Sequence, residues 1–385
     1  MQYQTITDNN YQMEATIASF ESERGVSEYH LIIQKTEGSQ SFAEQAERLF
    51  SFFEHLRANV LHGATVVFQR FFLSDAANQA SLLSAFLPDN KSNTSIIEQP
   101  PLNGAKIALW AYLQTNVEVV DAAQDSSGLF AVRHGSYLHL WKGSAVCQAN
   151  DSEWQMNRLL KEYMEQLSRY DCTLSNHCIR TWIFVQNVDV NYGGIVKARR
   201  ETFAENGLTE NTHYIASTGI SGRHADPNSI VIFDAYAVQG LQPEQIQYLY
   251  AKTHLSPTHK YGVTFERGTC IRYGDRRHTF ISGTASIDRN GLIVHEGDVV
   301  KQTYRTIENV ETLLQEAGHE LHDIAHIIVY MRDIADYNTI RPIFDRQFAE
   351  IPKVYVLASV CRPGWLVEME CIAIRQDENN SFDPF

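Results

Sequence analysis

The sequence predicts an α+β fold built from repeated units, each a mixed sheet with helices packed on one face. Two observations predict it. Segments with apolar residues at helical spacing alternate with short β-branched and aromatic runs that read as strands. The order helix, strand, helix, strand also recurs at a period above ~100 residues, which signals domain duplication and not a solenoid.

In the first 150 residues, Ser41 to Leu56 reads as a helix, Ala64 to Phe72 as a strand and Asp75 to Phe86 as a second helix. This N-terminal α/β region is a weaker relative of the later repeats. The stretch Asp89 to Glu98 (D-N-K-S-N-T-S-I-I-E) is polar and reads as a loop. Gln148 to Glu153 makes the join to the first clear copy, residues 151–240. That copy opens with a helix from Trp154 to Ser168, whose Met156, Leu159, Leu160, Tyr163, Met164 and Leu167 recur at helical spacing. A strand from Cys178 to Val185, a helix from Tyr192 to Glu205, the run Tyr214 to Gly219 and a strand from Ile230 to Val238 follow.

Residues 241–260, with Pro243 and Pro257, read as a connector. The second copy, residues 261–376, repeats the order. Its first helix is Gln302 to Ala317, with Ile307, Val310, Leu313 and Leu314 on one face. A strand from Ala325 to Met331 and a helix from near Asn338 come next. The run Val356 to Val360 leads into the closing segment. Phe203-Ala204-Glu205 matches Phe348-Ala349-Glu350 at the spacing that matches Tyr192 with Tyr337. In the closing run, Glu368 and Glu370 alternate with Val367, Met369 and Cys371, so on a strand both carboxyls share a face. A carboxyl among Trp365, Leu366 and Met369 is a candidate for a raised pKa and for general-acid work. The polar tail 377–385 is expected to be disordered.

The chain has 385 residues, 44% of them hydrophobic, which is enough for two or three domains. Its formal charge of −14 disfavours non-specific nucleic-acid binding but leaves room for a small anion held by local arginines. The six cysteines, Cys147, Cys172, Cys178, Cys270, Cys361 and Cys371, form no C-x-x-C pair and no metal-ligand cluster with histidine, so reduced thiols are expected. No secretory signal and no membrane-length apolar run is present, which points to a cytoplasmic protein.

Five motifs carry a family resemblance: T-F-E-R-G-T from Thr264, S-G-T-A-S-I-D from Ser282, C-R-P-G-W-L-V-E from Cys361, and the upstream R-T-W-I-F-V and Y-I-A-S-T-G-I. The last third, with its gapped S-G-T-A-S-I…G-D…Q-T…T-I-E-N-V-E-T-L-L-Q-E-A-G, resembles the RidA/YjgF-like superfamily, of chorismate mutase-like fold. Over Trp154 to Ile374 the chain looks like a chorismatase.

That resemblance implies a cofactor-free, metal-free enzyme that cleaves the enolpyruvyl ether of chorismate, releasing pyruvate. It places the general acid at Glu368, with Glu370 as a structural neighbour. Two substrate carboxylates call for two guanidinium clamps. Arg180 and Arg341 are the candidates, Arg180 because an unpaired charge within an apolar strand is costly. Cys361 and Gly274 match the subtype that makes 3-hydroxybenzoate; simple hydrolysis to a dihydroxycyclohexadiene carboxylate is the alternative. Tyr248 is a candidate hydrogen-bonding residue. Arg267 and Glu266 shape the pocket or pair with each other, and Ser282, Gly283 and Thr284 are candidate backbone donors. RidA-like imine deaminases hold a carboxylate with an arginine that would fall near Tyr355, where none stands, so that reading is weakened. A non-catalytic small-ligand-binding protein is the third possibility. RidA-like proteins are usually trimers with sites between subunits, so a repeated chain implies a monomer or weak dimer.

Overall fold

A computed structural model describes residues 1–22, 25–36, 40–87, 92–122 and 128–385. The first unit contains β1 (Gln2–Asp8), β2 (Met13–Phe20), β3 (Glu28–Lys35), α1 (Phe42–Asn59), β4 (Thr65–Leu73), α2 (Ala76–Ser84), β5 (Thr94–Glu98) and β6 (Ile107–Gln114). The second contains β7 (Glu118–Asp121), β8 (Phe130–His134), β9 (Tyr137–Ala145), α3 (Ser152–Ser168), the short α4 (Leu174–His177), β10 (Cys178–Val185), α5 (Val188–Glu205), β11 (Ala216–Ser221) and β12 (Val231–Gln239). The third contains β13 (Ile246–Leu249), β14 (Gly268–Arg272), β15 (Arg276–Ala285), α6 (Val299–Glu316), β16 (Ile324–Met331), α7 (Tyr337–Gln347), β17 (Lys353–Leu357) and β18 (Val367–Gln376).

Among the described residues these strands form three six-stranded sheets, β1-β2-β3-β6-β4-β5, β7-β8-β9-β12-β10-β11 and β13-β14-β15-β18-β16-β17. The order is the same each time, so the architecture is triplicated and not merely duplicated. In every unit the last helix carries the chain between two parallel strands (β4/β5, β10/β11, β16/β17), as a parallel pair requires. Side-chain caps fix where the long helices begin: Ser41 with Glu44 in a capping box, Asp151 on the Trp154 amide and Asp298 on the Lys301 amide.

One face of each sheet packs on its own helices. In the second unit, Val231, Phe233, Ala235 and Ala237 of β12 join Leu159, Tyr163 and Ile195. The opposite faces of the three sheets meet in a shared core that includes Phe68, Trp110, Trp141, Trp182, Tyr236 and Met331. Both faces of β18 are therefore buried, and Glu368 and Glu370 point into the seam between units. No helix among the described residues is long and apolar enough to cross a membrane.

Three expectations need correction. The boundary at 150 and the connector 241–260 cut through sheets: β7 to β9 belong to the second sheet, and β13 is the edge of the third. Within Asp89 to Glu98, residues 89–91 lie outside those described, but Thr94–Glu98 is strand β5; its polar start is buried by bonding, with Gln69 donating to Thr94 Oγ1 at 3.0 Å. The tail is packed, not disordered. Phe385 is buried against His134, His278 and Tyr273 at ring distances of 4.2, 4.4 and 4.8 Å. The Gly274 amide donates to the Asp383 carbonyl at 2.8 Å. A terminal apolar ring that finds an aromatic cage overrides the polar composition before it.

Candidate active site

The site begins with a β-bulge. β15 pairs with β18 in regular antiparallel register except between Ile281 and Thr284, where the register shifts. Gly283 sits in that irregularity, and a Cβ on it would stand 2.2 Å from Glu368 Oε1. Only glycine lets the carboxyl lie against the backbone there. Glu368 itself faces Ala285 on one side and Tyr330 on the other.

Around this carboxyl lies a pocket in the seam between the second and third units. Tyr192 and Arg199 of α5 and Ser217 and Gly219 of β11 form one wall; Arg267, Cys361, Arg362, Trp365 and Glu368 form the other. Arg199 is buried, with Nε at 3.3 Å from Thr264 Oγ1, Nη1 at 3.3 Å from Ser217 Oγ, and Nη2 without a partner. Arg267 is also buried; its Nη2 donates to the Ser256 carbonyl at 2.9 Å and its Nε has no partner. Arg362 Nη2 donates to the Tyr261 carbonyl at 3.0 Å. Among the described residues none of these three guanidinium groups has a carboxylate within 4.0 Å. Buried cations without counter-ions are costly, and a bound anion removes that cost.

The acid nearest them is held neutral. Burial, then the charge of Glu370, pushes the Glu368 carboxyl up to about 8, against the opposing fields of Arg180 and Arg267. Burial, then Glu368, pushes the Cys361 thiol up to about 12, so it stays protonated and is no thiolate nucleophile. The pocket therefore offers two neutral acids and three cations.

Of the residues the sequence singles out, Glu368 and Cys361 both line this pocket. Arg267 and Gly283 line the same pocket; Arg180, Arg341, Tyr248 and Gly274 do not. Arg180 is buried behind the pocket wall, with Nη2 2.8 Å from Glu370 Oε2 and 2.6 Å from Thr218 Oγ1; an in-cis carboxylate has taken its charge. Arg341 is exposed on α7 and pairs with Asp345 at 3.0 Å, because α7 turns that edge to solvent. Tyr248 stacks on His213 at 4.3 Å, away from the pocket. Gly274 serves the tail: a Cβ there would meet the Phe382 carbonyl oxygen at 2.5 Å. Glu266 accepts the Tyr214 amide at 2.8 Å and does not pair with Arg267. Two of the proposed backbone donors are committed elsewhere, Ser282 to the Arg267 carbonyl and Gly283 to Thr218 Oγ1, at 3.0 and 2.8 Å.

Sequence reasoning assigned Arg362 no part in the pocket and also missed Arg199 there. For Arg199 the signal was present. It lies four residues after Ile195 and four before Phe203, both buried, so it occupies a core position of an amphipathic helix. An arginine in an apolar stripe marks an inward-facing charge.

Strand register also explains why one seam carries the acid. β4/β6, β10/β12 and β16/β18 pair alike, which sets Ala108 opposite Phe72, Ile232 opposite Phe184, and Glu368 opposite Tyr330. The first two positions are aliphatic.

A RutC family protein of Pyrococcus abyssi is 33% identical over 99 residues, which cover 25% of this chain and 78% of that protein. The chain belongs to the RutC family. The endoribonuclease L-PSP family model, which describes the same RidA/YjgF-like fold, matches residues 271–375. The 3-aminoacrylate deaminase RutC of Acinetobacter baylyi is 32% identical over 96 residues and 76% of its length. A 3-hydroxybenzoate synthase of Streptomyces hygroscopicus is 35% identical over 105 residues, which are 25% of this chain and 31% of that enzyme. A crystal structure of a chorismatase matches 91% of this RutC family chain and 100% of its own, with a TM-score of 0.63 at 18% identity. The fold, with its repeated RidA-like units, is thus shared with chorismatase.

Proposed function

We propose that this protein is a chorismatase that cleaves chorismate to pyruvate and 3-hydroxybenzoate. The observation that carries the reading is the convergence of Arg199, Arg267 and Arg362, all without carboxylate partners, on the protonated carboxyl of Glu368. Three cations suit a substrate with two carboxylates, and planar guanidinium forks bind carboxylates bidentately. The 3-hydroxybenzoate synthase relative supports the product.

Glu368 gives its proton to the terminal methylene carbon of the enolpyruvyl group, leaving an oxocarbenium ion at the ether carbon. Its emerging carboxylate and the substrate's own carboxylates offset that positive charge. The neighbouring ring hydroxyl attacks that ether carbon and loses its proton. The hydroxyl's own ring C–O bond and the original bond from the ether oxygen to the pyruvyl carbon then break, so pyruvate leaves with the hydroxyl oxygen. The ether-bearing ring carbon loses its proton and the retained oxygen takes one up to give 3-hydroxybenzoate, with no water consumed. Attack by water consumes one and gives the dihydroxycyclohexadiene carboxylate. The neutral Cys361 thiol at the pocket wall, a proton donor of low polarity, favours the first route over hydrolysis. The strand that contributes to this seam from the second unit, β11, reads Ala216-Ser217-Thr218-Gly219-Ile220-Ser221, so it supplies no carboxylate-binding arginine of the deaminase kind. We infer a monomer or weak dimer, since three units in one chain cover the surfaces that separate subunits would otherwise share.

Purified protein incubated with chorismate is expected to release pyruvate, with 3-hydroxybenzoate as the aromatic product by chromatography. A folded protein that releases no pyruvate defeats the reading.

A further inference from the structure

Glu368 and Glu370 are two carboxyls two residues apart on one face of β18, yet their surroundings are opposite. Glu370 Oε2 lies 2.8 Å from Arg180 Nη2 and accepts the Thr218 hydroxyl proton; Oε1 accepts Trp182 Nε1–H at 2.9 Å and lies 3.8 Å from Arg70 Nη1. Glu368 receives no hydrogen bond among the described residues. The amide of Gly283, the residue whose backbone the carboxyl lies against, donates at 2.8 Å to Thr218 Oγ1 instead. Thr218 is saturated by this arrangement. Its oxygen accepts from Gly283 and Arg180 and its proton goes to Glu370, the full capacity of a hydroxyl.

From this asymmetry we propose that Glu370 is a positioning residue: an anion fixed by Arg180, Trp182 and Thr218, whose charge keeps the proton on Glu368. Two buried carboxylates on one face of a strand cannot both ionise cheaply, and the one with donors takes the charge. The titratable and charged groups around Glu368 are Tyr192, Arg199, Tyr261, Arg267, Cys361 and Arg362 across the pocket, Tyr330 on the paired strand, and Glu370 with its partner Arg180 on the same face of the sheet. Of these only Glu370 is an anion, so it alone opposes ionisation electrostatically. A related latch stands at the adjoining seam. Asp234 lies in the same register position as Glu370, counted from the start of β12 and β18, and it holds Arg70 Nη2 at 2.9 Å and the Ser144 amide at 2.7 Å. There the residue at the Glu368 position is Ile232, so that latch joins two units and serves no acid. At the catalytic seam the same device has an ionisable neighbour and becomes functional.

The proposal rests on Glu368 being the acid, but its test is made without substrate. Infrared difference spectra between wild type and Glu368→Gln should show one protonated-carboxyl band lost near pH 6. That band should titrate away near pH 8 in wild type. In Glu370→Gln its midpoint should fall by at least one unit, about tenfold in proton affinity, because the Arg180 charge is then uncompensated. Glu370→Asp, which keeps the charge, should restore a midpoint close to wild type. An unchanged midpoint in folded Glu370→Gln overturns the proposal. If that variant does not fold, the wild-type comparison still decides, since absence of a lost band in Glu368→Gln puts the proton elsewhere and overturns it too. A wild-type protein inert toward chorismate but with the expected titration would defeat the chorismatase reading and leave this one standing.

Discussion

Replacing Glu368 with glutamine should sharply lower turnover and stabilise the fold at the same time. The side chain is 5% exposed and its carboxyl is pushed from 4.5 to about 8. Between those values the folded chain holds a proton that the unfolded chain has released, so stability falls as pH rises through this window. Near pH 7 the penalty is about 3 kcal/mol, from 1.36 kcal/mol per unit over roughly 2.5 units. Glutamine has the same shape and no proton to lose, so the variant escapes the penalty. Denaturant unfolding of both proteins across the range from pH 5 to 9 should show no gain at the acid end, a gain growing with pH, and a plateau above about 8. Turnover should fall about 10²–10⁴-fold, the usual worth of a positioned general acid. In wild type, kcat/KM should decline as pH rises through the same value. A stability difference that is constant with pH, or a glutamine variant that retains full turnover, would refute the reasoning.

Arg199→Met and Arg267→Met should each weaken chorismate binding by roughly 10–100-fold, the loss of one charge-assisted carboxylate contact of about 1.5–3 kcal/mol, measured as KM in a pyruvate-release assay. Arg341→Ala should leave KM and kcat unchanged, since its partner is Asp345 on the surface. Cys361→Ala should shift the product ratio from 3-hydroxybenzoate toward the hydrolysis product, read by chromatography, with total pyruvate release retained. Gly274→Ala should lower the melting temperature, because its Cβ meets the Phe382 carbonyl oxygen at 2.5 Å, and should leave the product ratio alone.

Much of this protein is legible in its sequence because the relevant signals are local. The strand Cys178 to Val185 and the helix ending at Glu205 follow from periodicity, and alternation along β18 puts Glu368 and Glu370 on one face. The burial that raises Glu368 is visible in its apolar flanks. The sequence could not say which arginines would meet that acid, because partner choice depends on how three sheets close on a common core. Arg180 looked like a clamp and is neutralised by Glu370 from 190 positions away; Arg199 looked like one charge among several in a helix and faces the pocket. The N-terminal repeat is faint because few of the shared motifs occur in it, while its strand order is the same. Local periodicity fixes which way a side chain points along its own element. Only the packing of separate elements decides which charges become neighbours, and for a buried charge that neighbour determines whether it binds a ligand or merely holds the fold together.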